Sequence, residues 1–154
     1  MCKKKLLIGV IGGHRCNQRT ARVAYEVGKG IAALGAILVC GGLGGVMQAA
    51  AKGAKENGGV TVGILPGEYK EDANPFIDIP IATGLGNMRN TLVATAADIV
   101  VALPGKYGTL SEIGFALNAG KIVLGLGAWN IKGVVRTRTP QKTISKIKEW
   151  MQKK

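Results

Sequence analysis

Ile99-Val100-Val101-Ala102-Leu103-Pro104-Gly105-Lys106-Tyr107-Gly108-Thr109-Leu110-Ser111-Glu112 opens with five apolar residues, breaks on a proline-glycine turn and resumes as a helix start. An apolar run without polar alternation is the pattern of a strand buried on both faces, which belongs to a mostly parallel sheet covered by helices. A helix is predicted from Thr109 to Ala119, where Gly120 stops it. Thr109 and Glu112 have the spacing of a capping box, Thr109 as N-cap and Glu112 at the third helical position reaching back to it. The turn admits a second reading. A cap needs neither the tight Gly105-Lys106-Tyr107-Gly108 loop nor a lysine in it, whereas a phosphate cradled on a helix N-terminus uses both.

The same strand, turn and helix unit recurs on either side. Upstream, Leu6 to Ile11 is an apolar run, followed by a helix from Gln18 to Leu34 that Gly35 ends. Ala36 to Cys40 and Val60 to Leu65 are further strands around a helix from Val46 to Glu56. Ile79 to Ala82 is a short strand and Asn87 to Ala97 a helix. Downstream, Ile122 to Leu126 is a strand, and Thr139-Pro140 starts a last basic helix with Ile144, Ile147, Trp150 and Met151 on one stripe. The stripe reads as core or dimer packing. This alternation predicts an α/β fold: a doubly wound, mostly parallel sheet with helices on both faces, spanning residues 1–154 as a single domain. In such sheets ligands bind beyond the carboxyl ends of the strands, where the glycine-rich turns gather.

With 154 residues, 47% of them hydrophobic, the chain can bury a core without disulfides or metals. Cys2, Cys16 and Cys40 are odd in number and include no CxxC pair, which argues against a disulfide framework and a thiolate zinc site and fits a reducing cytoplasm. The basic start Met1-Cys2-Lys3-Lys4-Lys5 precedes an apolar stretch too short for a signal peptide, and no apolar stretch approaches the roughly 20 residues of a membrane span. The net charge is +12, but it sits at the two ends: residues 1–33 carry seven Lys/Arg against one Glu, and residues 132–154 carry eight against one. The stretch between them has six basic and seven acidic residues, so the pocket region is nearly neutral and nucleic acid is not the expected partner.

Three strand-to-helix turns are rich in glycine: Gly12-Gly13, Gly41-Gly42-Leu43-Gly44-Gly45, and Pro104 to Gly108. Free N–H groups and the positive end of the helix dipole favour phosphate there, and missing Cβ atoms let backbone approach a ligand. Neither a complete GxGxxG nor a Walker A pattern is present, and Cys40 stands where a dinucleotide site would carry an acidic residue. Arg89, in Thr83-Gly84-Leu85-Gly86-Asn87-Met88-Arg89-Asn90, is one of few arginines in the neutral centre. It can fork onto a phosphate or carboxylate, or pair structurally with Glu112 or Asp98. His14 is the only histidine and without partners reads as structural or rim. Glu68, Glu71, Asp72 and Asp78 read as a solvated acidic loop.

In their order, Gly41 to Met47, Gly63-Ile64-Leu65-Pro66, Met88-Arg89-Asn90 and the PGGxGTxxE-type motif at Pro104 to Glu112 resemble the superfamily once labelled lysine-decarboxylase-like. It includes the Lonely Guy phosphoribohydrolases and the molybdenum-cofactor carrier proteins, and the resemblance covers roughly residues 5–128. It implies a Rossmann-like fold, a homodimer or dimer of dimers, and a nucleoside monophosphate or molybdopterin-type ligand, with no other cofactor or metal required. Nothing in the chain suggests a pyridoxal-phosphate lysine. By resemblance to the hydrolases, Arg89 and Glu112 act on the ribose and the N-glycosidic bond. The ligand and its phosphate fall to Gly12, Gly13, Gly42, Gly44, Gly45 and Met47, together with Arg89, Gly105, Lys106, Tyr107, Gly108 and Thr109. Lys106 replaces the motif's second glycine, and Asn90 follows the arginine where the hydrolases usually have lysine. The Arg89-Asn90 pairing, the short length and the Ser111-Glu112 ending resemble the carrier branch.

Overall fold

The computed structural model describes residues 3–154, so Met1 and Cys2 lie outside the described residues. The apolar runs form seven strands: β1 (Leu7–Ile11), β2 (Ile37–Cys40), β3 (Val60–Leu65), β4 (Ile79–Ala82), β5 (Ile99–Ala102), β6 (Ile122–Leu126) and β7 (Val135–Thr137). They pair in parallel throughout, in the order β4-β3-β2-β1-β5-β6-β7. The helices are α1 (Gln18–Ala33), α2 (Val46–Glu56), α3 (Asn90–Ala96), α4 (Tyr107–Asn118) and α5 (Pro140–Gln152). Successive residues of each strand serve opposite layers. Ile8, Val10, Leu38, Cys40, Ile99 and Val101 face α1, α2 and α5, while Val39, Val100 and Ala102 face α3 and α4. Both faces are buried, as the unbroken apolar runs require. The fold is Rossmann-like and doubly wound.

The first layer is drawn tight by glycine. A Cβ on Gly28 of α1 would stand 1.9 Å from the Ala50 carbonyl oxygen of α2, and one on Gly53 would stand 2.0 Å from that of Tyr25. The two helices therefore pack backbone against backbone. This packing carries the turns after β1 and β2 side by side. The sheet order reverses between β1 and β5, so the turns after those strands part there and leave a crevice, the place where such sheets bind ligands.

Three details differ from the sequence expectation. The helix predicted from Asn87 begins as a 3₁₀ turn, Gly86–Arg89, and becomes α-helical only at Asn90. Gly84 and Gly86 have φ of 65° and 58°, and the chain is still turning there. The capping box does not form. α4 starts two residues early, with Lys106 as its N-cap and no side-chain hydrogen bond to the cap. Thr109 instead packs inward against Gly105, and Glu112 is buried. β7 was not expected at all: only Val135 of its three residues is apolar, so it gives no periodic signal. Among the described residues no helix is long and apolar enough to cross a membrane.

Candidate functional site

The glycine turns interlock. The Gly13 N–H donates to the Pro104 carbonyl at 2.8 Å, and the Val46 N–H donates to the Gly13 carbonyl at 3.0 Å. Gly45 has φ of 61°, and a Cβ on it would meet the Gly13 oxygen at 2.3 Å; a Cβ on Gly105 would meet the Thr109 hydroxyl at 2.0 Å. Asn74, from the long loop after β3, fastens the remaining turn: its N–H donates to the Gly42 carbonyl at 2.9 Å and its side-chain amide to that of Leu43 at 2.8 Å.

Around these turns lies a cavity of about 620 Å³. The helices that meet it differ from those that do not. α1 and α5 are capped by the side chains of Asn17 and Thr139, whereas α2 and α4 have no side-chain cap. The first N–H groups of α4 are thus left to solvent or to a ligand.

The floor of the cavity carries a buried charge. Arg89 is 7% exposed and lies against Gly41, where a Cβ would stand 2.8 Å from its Nη2. Its Nη1 donates to the Asn90 side-chain oxygen, but its Nε is buried with no hydrogen-bond partner. The ion pair considered for it is not formed among the described residues. Asp98 accepts instead from the Leu7 N–H at 2.9 Å, and Glu112 stands near enough to interact with Arg89 through space but not as a salt bridge. Burial pushes the Glu112 carboxyl up to about 7 against the pull of Arg89. Burial likewise lowers the Arg89 guanidinium, with Glu112 and Cys40 opposing. Cys40 lies behind the site with its thiol pushed up to about 12 by burial, which leaves it protonated and unreactive.

The predicted residues divide into two sets. Gly12 and Gly13, Met47, Arg89, and Gly105, Lys106, Gly108, Thr109 and Glu112 all line the cavity. Gly42, Gly44, Gly45 and Tyr107 do not. Gly42 has φ of 77° and, like Gly45, serves the backbone of its turn, and Tyr107 is 79% exposed and stacks on Trp129 with ring centroids 6.3 Å apart. Sequence reasoning missed Asn90, the partner of Arg89, and Asn87, which also lines the cavity. It missed Asn74 as well, which shapes a turn from 31 residues away. His14 and Arg15 stand exposed in the lining. Among the described residues no group of three or more His, Cys, Asp or Glu could hold a metal ion.

Residues 5–153 match the model of the SLOG cluster4 family. The chain belongs to that family. Among solved structures it is similar to the molybdenum cofactor binding protein of the phototrophic bacterium Rippkaea orientalis, at 34% identity and a TM-score of 0.91 over 97% of this chain and 99% of the other. It is similar also to the Moco carrier protein of Chlamydomonas reinhardtii, at 35% identity and a TM-score of 0.89, over 98% of this chain and the whole of that one. A cytokinin riboside 5'-monophosphate phosphoribohydrolase of Mycobacterium tuberculosis is 40% identical over 95 residues, which span 59% of this chain and half the length of that relative. This SLOG cluster4 protein therefore matches the cofactor-binding proteins along their whole length and the hydrolase only in part.

Proposed function

We propose that this protein binds and carries a small phosphorylated ligand, a nucleoside monophosphate or a molybdopterin-type cofactor, in the cavity between its glycine turns. The observation that carries the reading is Arg89: a buried guanidinium with an unpartnered Nε, at the floor of a cavity overlooked by two uncapped helix N-termini. A buried cation without a paired anion is costly, and a phosphate or carboxylate in the cavity would offset that cost. The N–H groups at Tyr107, Gly108 and Thr109 would take the phosphate, with Lys106 beside it. A molybdopterin-type ligand would meet the same donors through its phosphate. The whole-length likeness to two cofactor-binding proteins supports the carrier reading over the partial likeness to a hydrolase.

One observation favours hydrolysis as a second reading. A carboxyl pushed up to about 7 is matched to proton transfer at neutral pH, and Glu112 beside a bound ribose would stabilise oxocarbenium-like charge or activate water. Equilibrium dialysis with AMP, with chromatography for free adenine, separates the two. Saturable binding without adenine is expected; steady adenine release that disappears in Glu112→Gln would replace the carrier by the enzyme.

The carrier is proposed to work in the cytoplasm as a homodimer or homotetramer. Leu92 of α3, Phe115 of α4 and Met88 of the 3₁₀ turn before α3 are exposed, and nothing crowds Gly114 beside Phe115. Light scattering on the purified protein is expected to give a multiple of the 16.0 kDa chain mass, reduced by Phe115→Arg. A wild-type mass of one chain would refute the assembly.

A further inference from the structure

The two basic ends of the chain, separated in sequence by a neutral centre, fold against each other: α5 packs on α1. Beyond the carboxyl ends of β6 and β7 they wall a second cavity of about 670 Å³. It takes Arg19 from the first turn of α1, Arg136 from β7, and Arg138 from just before the Thr139 cap of α5. No Asp or Glu lines it. Among the described residues none of these three arginines has an ion-pair partner or a side-chain hydrogen bond. Arg19 also stands against the α1 dipole, in a first turn without any acidic residue. Three unneutralised guanidinium groups at one concave site repel one another and focus a positive potential into it.

The remaining walls are specific too. Thr20 brings a hydroxyl group, and Val23 and Val134 bring apolar surface. Trp129 is held in place by its indole N–H, which donates to the Lys106 carbonyl at 3.1 Å, and by its stack on Tyr107. The cavity shares no lining residue with the one between the glycine turns and abuts it at one turn. Pro104 lines this one, and the next two residues, Gly105 and Lys106, line the other.

We infer that Arg19, Arg136 and Arg138 form a second anion site, which takes a small molecule carrying two or more negative charges on phosphate-type oxygens. Guanidinium forks suit such oxygens, and the indole and valine walls suit a compact body attached to them. The three arginines line one concave cavity walled also by Val23, Val134 and Trp129, which favours a small polyanion over a nucleic-acid strand. The inference does not depend on what occupies the first cavity.

Pyrophosphate is the probe. Calorimetric titration at low ionic strength is expected to show pyrophosphate binding that persists when AMP is saturating. In the double variant Arg136→Gln/Arg138→Gln its affinity should fall at least tenfold. Both arginines are exposed and repel their neighbours, so a melting temperature no lower than that of wild type and an AMP affinity within twofold of it are expected alongside. If AMP does not bind, the same pyrophosphate titration of wild type and double variant still reads the second site. Absent pyrophosphate binding, or binding the double variant leaves unchanged, overturns the site. So does a single-stranded oligonucleotide that depends on these arginines when pyrophosphate does not bind.

Discussion

Replacing Gly108 by alanine is expected to weaken AMP binding by about ten- to a hundredfold while leaving the protein as stable as before, or slightly more so. Gly108 is the second residue of α4, and no positive φ requires glycine there. Nor does packing, because an added Cβ would meet only the Asn90 side-chain nitrogen, at an ordinary 3.7 Å. Gly45 differs in both respects and Gly105 in the second. Alanine is favoured over glycine in a helix by roughly 0.5–1 kcal/mol, so the fold gains from the change. The Cβ would instead occupy space in which a phosphate meets the helix N-terminus. Lifting the phosphate off those N–H groups by an ångström or more should cost about 1.4–2.8 kcal/mol, the equivalent of that affinity loss. Calorimetry with AMP and a thermal melt read the two effects independently. Undiminished affinity would move the phosphate away from the start of α4.

The second large effect is on stability against pH, and it is carried by Glu112. Its carboxyl lies at about 7 in the folded protein against an ordinary 4.5, because burial disfavours the charged form. Between those values the folded chain holds a proton that the unfolded chain has released. Stability is therefore fully present below about 4.5, declines as pH rises, and is lost once pH passes about 7. For a shift of this size the loss is about 3 kcal/mol. Urea unfolding at pH 4.5 and pH 8 should show wild type losing about that much more than Glu112→Gln. Asp78 acts in the opposite sense: its burial is outweighed by hydrogen bonds from Lys55 and Thr61, which hold its carboxyl low. That contribution is common to both proteins and cancels in the difference. Parallel pH profiles would mean that the Glu112 carboxyl is not desolvated.

Much of this was legible along the chain because burial on both faces of a parallel sheet leaves unbroken apolar runs. α2, β3, β4, β6 and the residues opening α5 lie where periodicity and turn residues put them. The failures have physical reasons. Thr109 and Glu112 are three apart, a spacing that is one turn of helix wherever the helix begins. It fits an N-cap with its third residue, and it fits equally a pair on one buried face of a helix that has already started, which is what the structure contains. Asn74 reads as one polar residue in a polar loop, since its partners, Gly42 and Leu43, lie in a turn about 30 residues away. The arginine cavity draws on residues 19, 136 and 138, and the pairing of β7 with β6 and the docking of α5 on α1 make them neighbours.

The bonds from Gly13 to Pro104 and from Val46 to Gly13 have a consequence for how the empty protein behaves. Connecting turns usually exchange their amide hydrogens quickly, since they open without disturbing the core. Here the amides of Gly13 and Val46 tie three turns to the ends of two core strands and to the buried start of α2. Their hydrogens should exchange slowly even with no ligand present, close to the rate of β1 itself. A cradle of that kind is assembled before anything enters it, so a ligand that fits does not have to order the turns in order to be held.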